Sequence, residues 1–166
     1  LSNTIRGGTG NDTITGGYNQ NEIWGDAGDD TIQGMGNLNS IHGGLGDDKI
    51  KGSRGENQIW GDDGHDVIQS DGNKNTIEGG SGNDIITGGY LDWIDGGSGN
   101  DVIRGDGIYL SMDYVINRYN DYIIGGEGND TINGELGNDH LEGNAGDDVI
   151  SGGWDSDELF GGSGND

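Results

Sequence analysis

Gly7-Gly8-Thr9-Gly10-Asn11-Asp12-Thr13-Ile14-Thr15 is one copy of a unit that recurs along the chain, G-G-x-G-x-D-x-I-x. Its isoleucine falls at Ile5, Ile14, Ile23, Ile32, Ile41, Ile50, Ile59, Ile68, Ile77 and Ile86, each nine residues after the last. A fixed period this short marks a repeat architecture: one unit cannot bury its apolar side chain alone, and stacked neighbours do so together. The Gly, Asn and Asp of the first six positions favour tight and left-handed backbone. The x-I-x that follows reads as a minimal strand with its middle side chain turned to one face. Two units then form an 18-residue coil of two strands and two turns. No proline interrupts the stack, and no segment has helical periodicity. The expected fold is all-β: a right-handed parallel β-roll (β-solenoid) of 18-residue coils with two short-stranded sheets, forming a single domain over residues 1–166.

Composition alone points elsewhere. Only 28% of the residues are hydrophobic and the net charge is −24, values that suit a disordered chain. A strict isoleucine period does not suit one. The two agree if cations neutralise the carboxylates and hold the turns. The 7 Lys and Arg against 31 Asp and Glu exclude a nucleic-acid surface. There is no cysteine, hence no disulfide. No run reaches the length of a membrane span, and no signal peptide is recognisable. The chain opens on Leu1, so it is expected to be processed or cut from something longer.

Parity separates two kinds of turn. The sixth position of alternate units is Asp12, Asp30, Asp48, Asp66 and Asp84. In the intervening units it is Asn3, Asn21, Asn39, Asn57 and Asn75. One edge of the solenoid therefore carries an aspartate row and the other an asparagine row. Beyond Ile86 the unit at Gly88–Asp95 is one residue short, and the unit Gly105–Ile124 carries 11 extra, an insertion at 106–120. In this half Asp92, Asp121, Asp139 and Asp157 replace asparagine on the second edge.

Paired strands lie about 4.8 Å apart. Calcium takes six to eight oxygens at roughly 2.3–2.6 Å, so two oxygens across one ion are separated by about the same distance. A column of aspartates at coil spacing can hold calcium between successive coils, with backbone carbonyls of the glycine turns completing the shell. Magnesium wants a smaller octahedral site and keeps its water. Without cations the stacked carboxylates repel one another. Asparagines in register can instead hydrogen-bond from coil to coil as a ladder, so the second edge is expected to be metal-free through Asn75. Weak sites built from Asn oxygens are the alternative.

The unit resembles that of the repeat-in-toxin (RTX) family, G-G-x-G-x-D-x-U-x, over nearly the whole chain. The resemblance implies a β-roll, secretion from bacteria and folding triggered by calcium outside the cell. Its metal aspartate maps onto Asp12, Asp30, Asp48, Asp66, Asp84, Asp101, Asp130, Asp148 and Asp166 on the first edge. On the second edge Asp121, Asp139 and Asp157 are added. The turn glycines expected to contribute are Gly8, Gly10, Gly28, Gly44, Gly46, Gly64, Gly80, Gly82, Gly97, Gly99, Gly126, Gly128 and Gly146. Together these rows would take about 8–10 calcium ions, whose charge offsets most of the carboxylates.

Other features carry weaker signals. G-x-G-x-x-G matches are incidental to the repeat, because they lack the strand–helix context of a nucleotide site. Asp71-Gly72-Asn73-Lys74-Asn75 lacks the glycine and closing Glu of an EF-hand loop. Arg104-Gly105-Asp106 spells an adhesion tripeptide but falls where two units join. His42, His65 and His140 have no nucleophile partner in a recognisable motif, and no catalytic residue is expected. Trp24, His42 and Trp60 should form an exposed column on one sheet, open to a polysaccharide, to a protein or to packing among themselves. Val67, Ile85 and Val102 form an outward row on the other sheet. The apolar insertion is expected to fold back over the roll.

The expected function is calcium binding that drives folding of a secreted or cell-surface bacterial module. It would serve a structural role or assemble end to end with itself or with neighbouring domains. The alternative class is a non-catalytic accessory module of a secreted enzyme of protease, lipase or alginate-epimerase type. An ice-binding or adhesin module is a third reading. Ice binding would need a regular Thr and Asn pair in each turn, which only Thr9 and Asn11 supply.

Overall fold

The computed structural model describes residues 2–106 and 119–166. Within them the strands are β1 (Asn3–Thr9), β2 (Thr13–Thr15), β3 (Asn21–Ala27), β4 (Thr31–Gln33), β5 (Leu38–Leu45), β6 (Lys49–Lys51), β7 (Glu56–Asp63), β8 (Val67–Gln69), β9 (Thr76–Ser81), β10 (Ile85–Thr87), β11 (Trp93–Ser98), β12 (Val102–Arg104), β13 (Tyr122–Glu127), β14 (Thr131–Leu136), β15 (His140–Ala145), β16 (Val149–Trp154) and β17 (Glu158–Ser163). Odd-numbered strands form one sheet and even-numbered strands the other, each in sequence order. All pairs are parallel, and residue pairs 18 apart face each other, as in Ile5↔Ile23 and Ile14↔Ile32. This is the expected parallel β-roll, two strands to a coil. Among the described residues no helix is long and apolar enough to cross a membrane.

The core is the isoleucine column, and its two rows face each other between the sheets. Ile23, Ile41, Ile59 and Ile77 of one sheet and Ile32, Ile50, Ile68 and Ile86 of the other are fully buried, continued by Ile94, Ile103, Ile123, Ile132 and Leu141. The short unit and the insertion leave this register intact. Ile94 still pairs with Ile77 on one side and with Ile123, 29 residues on, at the other. The expected fold-back of the insertion falls on residues 107–118, outside the described residues.

Strand length departs from expectation. Three-residue strands were predicted for both sheets. β2 to β12 of the even sheet have three residues, but odd strands run to between six and eight, and β14 and β16 to six. Each long strand runs into a turn that carries an aspartate at its sixth position, while β10 and β12, ahead of Asp92 and Asp121, stay short. There the ladder continues through the glycines, as in Gly8↔Asp26 and Glu135↔Gly153.

The aromatic column is present and stacked upon itself. The rings of Trp24 and His42 lie 6.0 Å apart at 7°, and those of His42 and Trp60 4.4 Å apart at 5°. The Arg6 guanidinium covers the outer face of Trp24 at 4.2 Å. The ring faces of Trp24 and His42 that a sugar would use are thus occupied. A second stack, unseen in the sequence, joins Tyr122 and His140 at 4.5 Å and His140 to Phe160 at 5.0 Å. The outward row Val67, Ile85 and Val102 is exposed, as predicted.

Candidate metal sites along the two edges

The first edge is built from the turn that links each odd strand to the next even one. Every glycine assigned to these turns has positive φ, from 101° at Gly10 to 151° at Gly64. That is backbone which side chains other than glycine rarely adopt. Non-glycine residues also take it at the second position, Asp26 and Asp62 at 74°, and they point outward to Arg6 and His42. The left-handed pair turns the carbonyls and the sixth-position carboxylate toward the gap between coils.

The aspartates stand in one line and repeat one hydrogen bond. Each Oδ1 accepts the amide of the aspartate one coil back, as in Asp12 N to Asp30 at 2.7 Å, Asp48 N to Asp66 at 2.8 Å and Asp101 N to Asp130 at 2.8 Å. Each Oδ2 does not. The Oδ2 atoms of Asp12, Asp30, Asp48, Asp66, Asp84, Asp101, Asp130 and Asp148 are buried and make no hydrogen bond. Asp166, in the last coil, accepts from the Asp148 amide at 3.1 Å. A buried carboxylate oxygen with no partner is costly unless a cation or a proton meets it.

The first glycine of each turn shows where that cation fits. A Cβ on Gly7 would lie 2.7 Å from Asp12 Oδ2 and 2.6 Å from the Gly25 carbonyl oxygen of the next coil. The same pair of oxygens surrounds Gly25, Gly43, Gly61, Gly79, Gly96, Gly125 and Gly143. A carboxylate oxygen and a carbonyl from the next coil therefore converge in a pocket that exists because the first residue is glycine. The sequence reading named the second and fourth glycines and missed the first. No three His, Cys, Asp or Glu side chains converge on one point among the described residues. The donor set is instead a repeating carboxylate and carbonyl column, oxygen only, which suits a hard ion such as calcium.

Burial raises the carboxyl groups in this row far above their ordinary range. Asp66 is pushed up to about 7, and Asp48, Asp101 and Asp130 to about 6. Loss of solvent is the main cause; backbone hydrogen bonds oppose it, and neighbouring aspartates add to it. Asp84 is raised for the same first reason.

The second edge changes character half-way. Asn3 Nδ2 donates to Asn21 Oδ1 at 3.0 Å, Asn21 to Asn39 at 2.7 Å, Asn39 to Asn57 at 2.7 Å and Asn57 to Asn75 at 2.9 Å. This is the expected amide ladder. Asp92 ends it: its Oδ1 accepts from the Asn75 amide at 2.8 Å, and its Oδ2 from Asn75 Nδ2 at 3.0 Å and Gly89 N at 2.5 Å. Asp121 and Asp139 then repeat the first edge. Their Oδ1 atoms accept from the Asp92 and Asp121 amides at 2.7 and 2.8 Å, and their Oδ2 atoms are buried without partners. Asp157 accepts from Asp139 N at 3.0 Å. Backbone switches with side chain: Glu135 and Gly137 take φ of 77° and 125°, as the first-edge turns do, and Gly105 and Gly134 border Asp121 Oδ2 and Asp139 Oδ2.

The ladder carries its own prediction. Asn57 Nδ2 also donates to Ser53 O, Gly55 O and Ser70 Oγ at 2.9–3.0 Å. Asn57→Leu strands these acceptors and should cost roughly 3 kcal/mol in denaturant unfolding with calcium saturating. It should leave the number of bound ions unchanged; a lower count would show that this half of the edge holds metal.

Fold and edges together define a parallel β-solenoid whose turns present carboxylate and carbonyl oxygens between coils. The sequence model of the RTX calcium-binding nonapeptide repeat (4 copies) matches residues 1–32, 33–68, 69–90, 91–107, 117–141 and 134–166. The chain belongs to this RTX nonapeptide-repeat family. No curated protein matches it.

Proposed function

We propose that this chain is a calcium-dependent folding module of a secreted bacterial protein, non-catalytic in itself, with a structural or surface role. One observation carries the reading: a line of buried Oδ2 atoms without partners, from Asp12 to Asp148, each facing a carbonyl of the next coil. Such oxygens cannot all stay charged without cations between them. Free calcium outside cells reaches the 10⁻⁴–10⁻³ M range in which weak oxygen sites fill, at roughly the level of extracellular modules. Ligand bound only by the folded form adds to its stability, so export and folding become coupled. The same coupling would serve an accessory module beside a secreted enzyme.

Native mass spectrometry across a calcium titration tests the reading. The folded chain is expected to hold about ten ions, the number the two aspartate rows accommodate at calcium's coordination distances. Asp66→Ala, in the middle of the first row, should lower the count by about one or two and raise the calcium needed for half-folding several-fold. An unchanged count in that variant, or equal binding of magnesium, refutes it.

A further inference from the structure

We propose that Asp106, a residue outside the repeat motif, is a ligand to an additional calcium-type divalent cation on the second edge, shared with Asp121. This rests on the calcium reading above and adds a site to it.

Four residues hold the second position of an aspartate-type turn with an acidic side chain, and three of them have a side-chain partner. Asp26 pairs with Arg6 at 2.9 Å and Asp62 meets His42 at 3.3 Å, both at the surface. Glu135 is bound by Arg104 and by Asn133 Nδ2 at 2.8 Å. All three have φ between 74° and 77°, which throws the side chain outward. Asp106 is absent from the positive-φ residues. The residue is 4% exposed, and neither of its carboxyl oxygens makes a hydrogen bond. No described Lys, Arg or His forms an ion pair with it.

Its surroundings are anionic. Asp92, Asp139 and Glu135 act on its charge, and Asp106 is the first of the charges acting on Asp121. Asp121 is itself 3% exposed, with Oδ2 unpartnered. Gly105, which directly precedes Asp106 in the chain, borders Asp121 Oδ2. Two adjacent carboxylates out of water without a counter-charge are strongly disfavoured. A cation or a shared proton must relieve them. Three unpartnered carboxylate oxygens select a hard divalent cation over a transition metal. Asp92 is already committed to Asn75 and Gly89, so this site opens the second-edge series at the coil of Asp121.

Native mass spectrometry of the folded, calcium-loaded chain decides between cation and proton. Asp106→Asn should carry one calcium fewer than wild type, while the exposed charge control Glu22→Gln carries the full number. An equal count in Asp106→Asn overturns the site and points to a shared proton. If that variant does not fold, anomalous scattering from wild-type crystals grown in calcium replaces it: a peak beside Asp106 upholds the site, and none there, with peaks along the first edge, removes it. A wild type with no calcium at all would overturn the calcium reading itself, a result distinct from either.

Discussion

Chelating calcium at pH 8 is expected to abolish the β-sheet circular dichroism of the chain, and lowering the pH in chelator to restore part of it. The first half follows from a net charge of −24 and from carboxylates stacked at coil spacing. The second half follows from the raised carboxyl groups. Asp48, Asp101 and Asp130 at about 6, Asp66 and Asp139 at about 7 and Asp121 at about 9 hold protons in the roll that an unfolded aspartate, near 3.8, has released. A folded-state pKa above the unfolded one contributes stability at low pH, and that contribution is lost as pH rises through the folded value. The metal-free roll should therefore gain order as pH falls from about 8 to about 5. With calcium present the dependence on pH reverses, because protons compete for the same oxygens: the calcium concentration for half-folding should rise as pH falls. Circular dichroism at pH 8, 6.5 and 5, with chelator and with graded calcium, reads both. Chelated protein that keeps its full signal at pH 8 contradicts the central role of the cations.

Gly64→Ala is expected to be strongly destabilising for a single added methyl group. Gly64 has φ of 151°, and a Cβ there would overlap the Gly46 carbonyl oxygen of the preceding coil. Neither side can yield: Gly46 is itself held at φ 121° and its amide donates to Asp63 O at 2.8 Å. Backbone forced from such a conformation costs about 1–3 kcal/mol, and the overlap with fixed backbone adds to it. A loss of about 3 kcal/mol or more, seen as a lowered denaturant midpoint in saturating calcium, is the expected result. Gly52→Ala, on the asparagine edge with no positive φ, would meet the Ser70 and Asn57 side chains instead, which can shift. It should cost less; equal losses would mean that backbone conformation is not what the first-edge glycines supply.

Much of this molecule is legible in one dimension because each coil contacts only its neighbours. The nine-residue isoleucine period places Ile23 under Ile41 and Ile32 under Ile50 with no long-range information, and parity alone separates the Asp12 row from the Asn3 row. Even the 29-residue step across the insertion preserves register, because the units on both sides are intact. The aromatic column was legible as a column, but not the use of its faces. Trp24 and His42 stack on each other because parallel strands in register bring planar rings to stacking distance. The Arg104-Gly105-Asp106 tripeptide loses its adhesive reading for a similar reason: Asp106 is buried and Arg104 is held by Glu135.

By itself the sequence determined the coil, the facing isoleucine rows, the amide ladder and the identity of the aspartates in line, since all follow from spacing. Tertiary structure alone decided which oxygens of those aspartates are left without a partner, and that the first glycine of each turn supplies the carbonyl opposite. It also decided that Asp92 is consumed by Asn75, and that Asp106 turns inward where Asp26 and Asp62 turn out. These depend on the sign of φ at single turn positions and on the path of the next coil, which a residue's name does not specify.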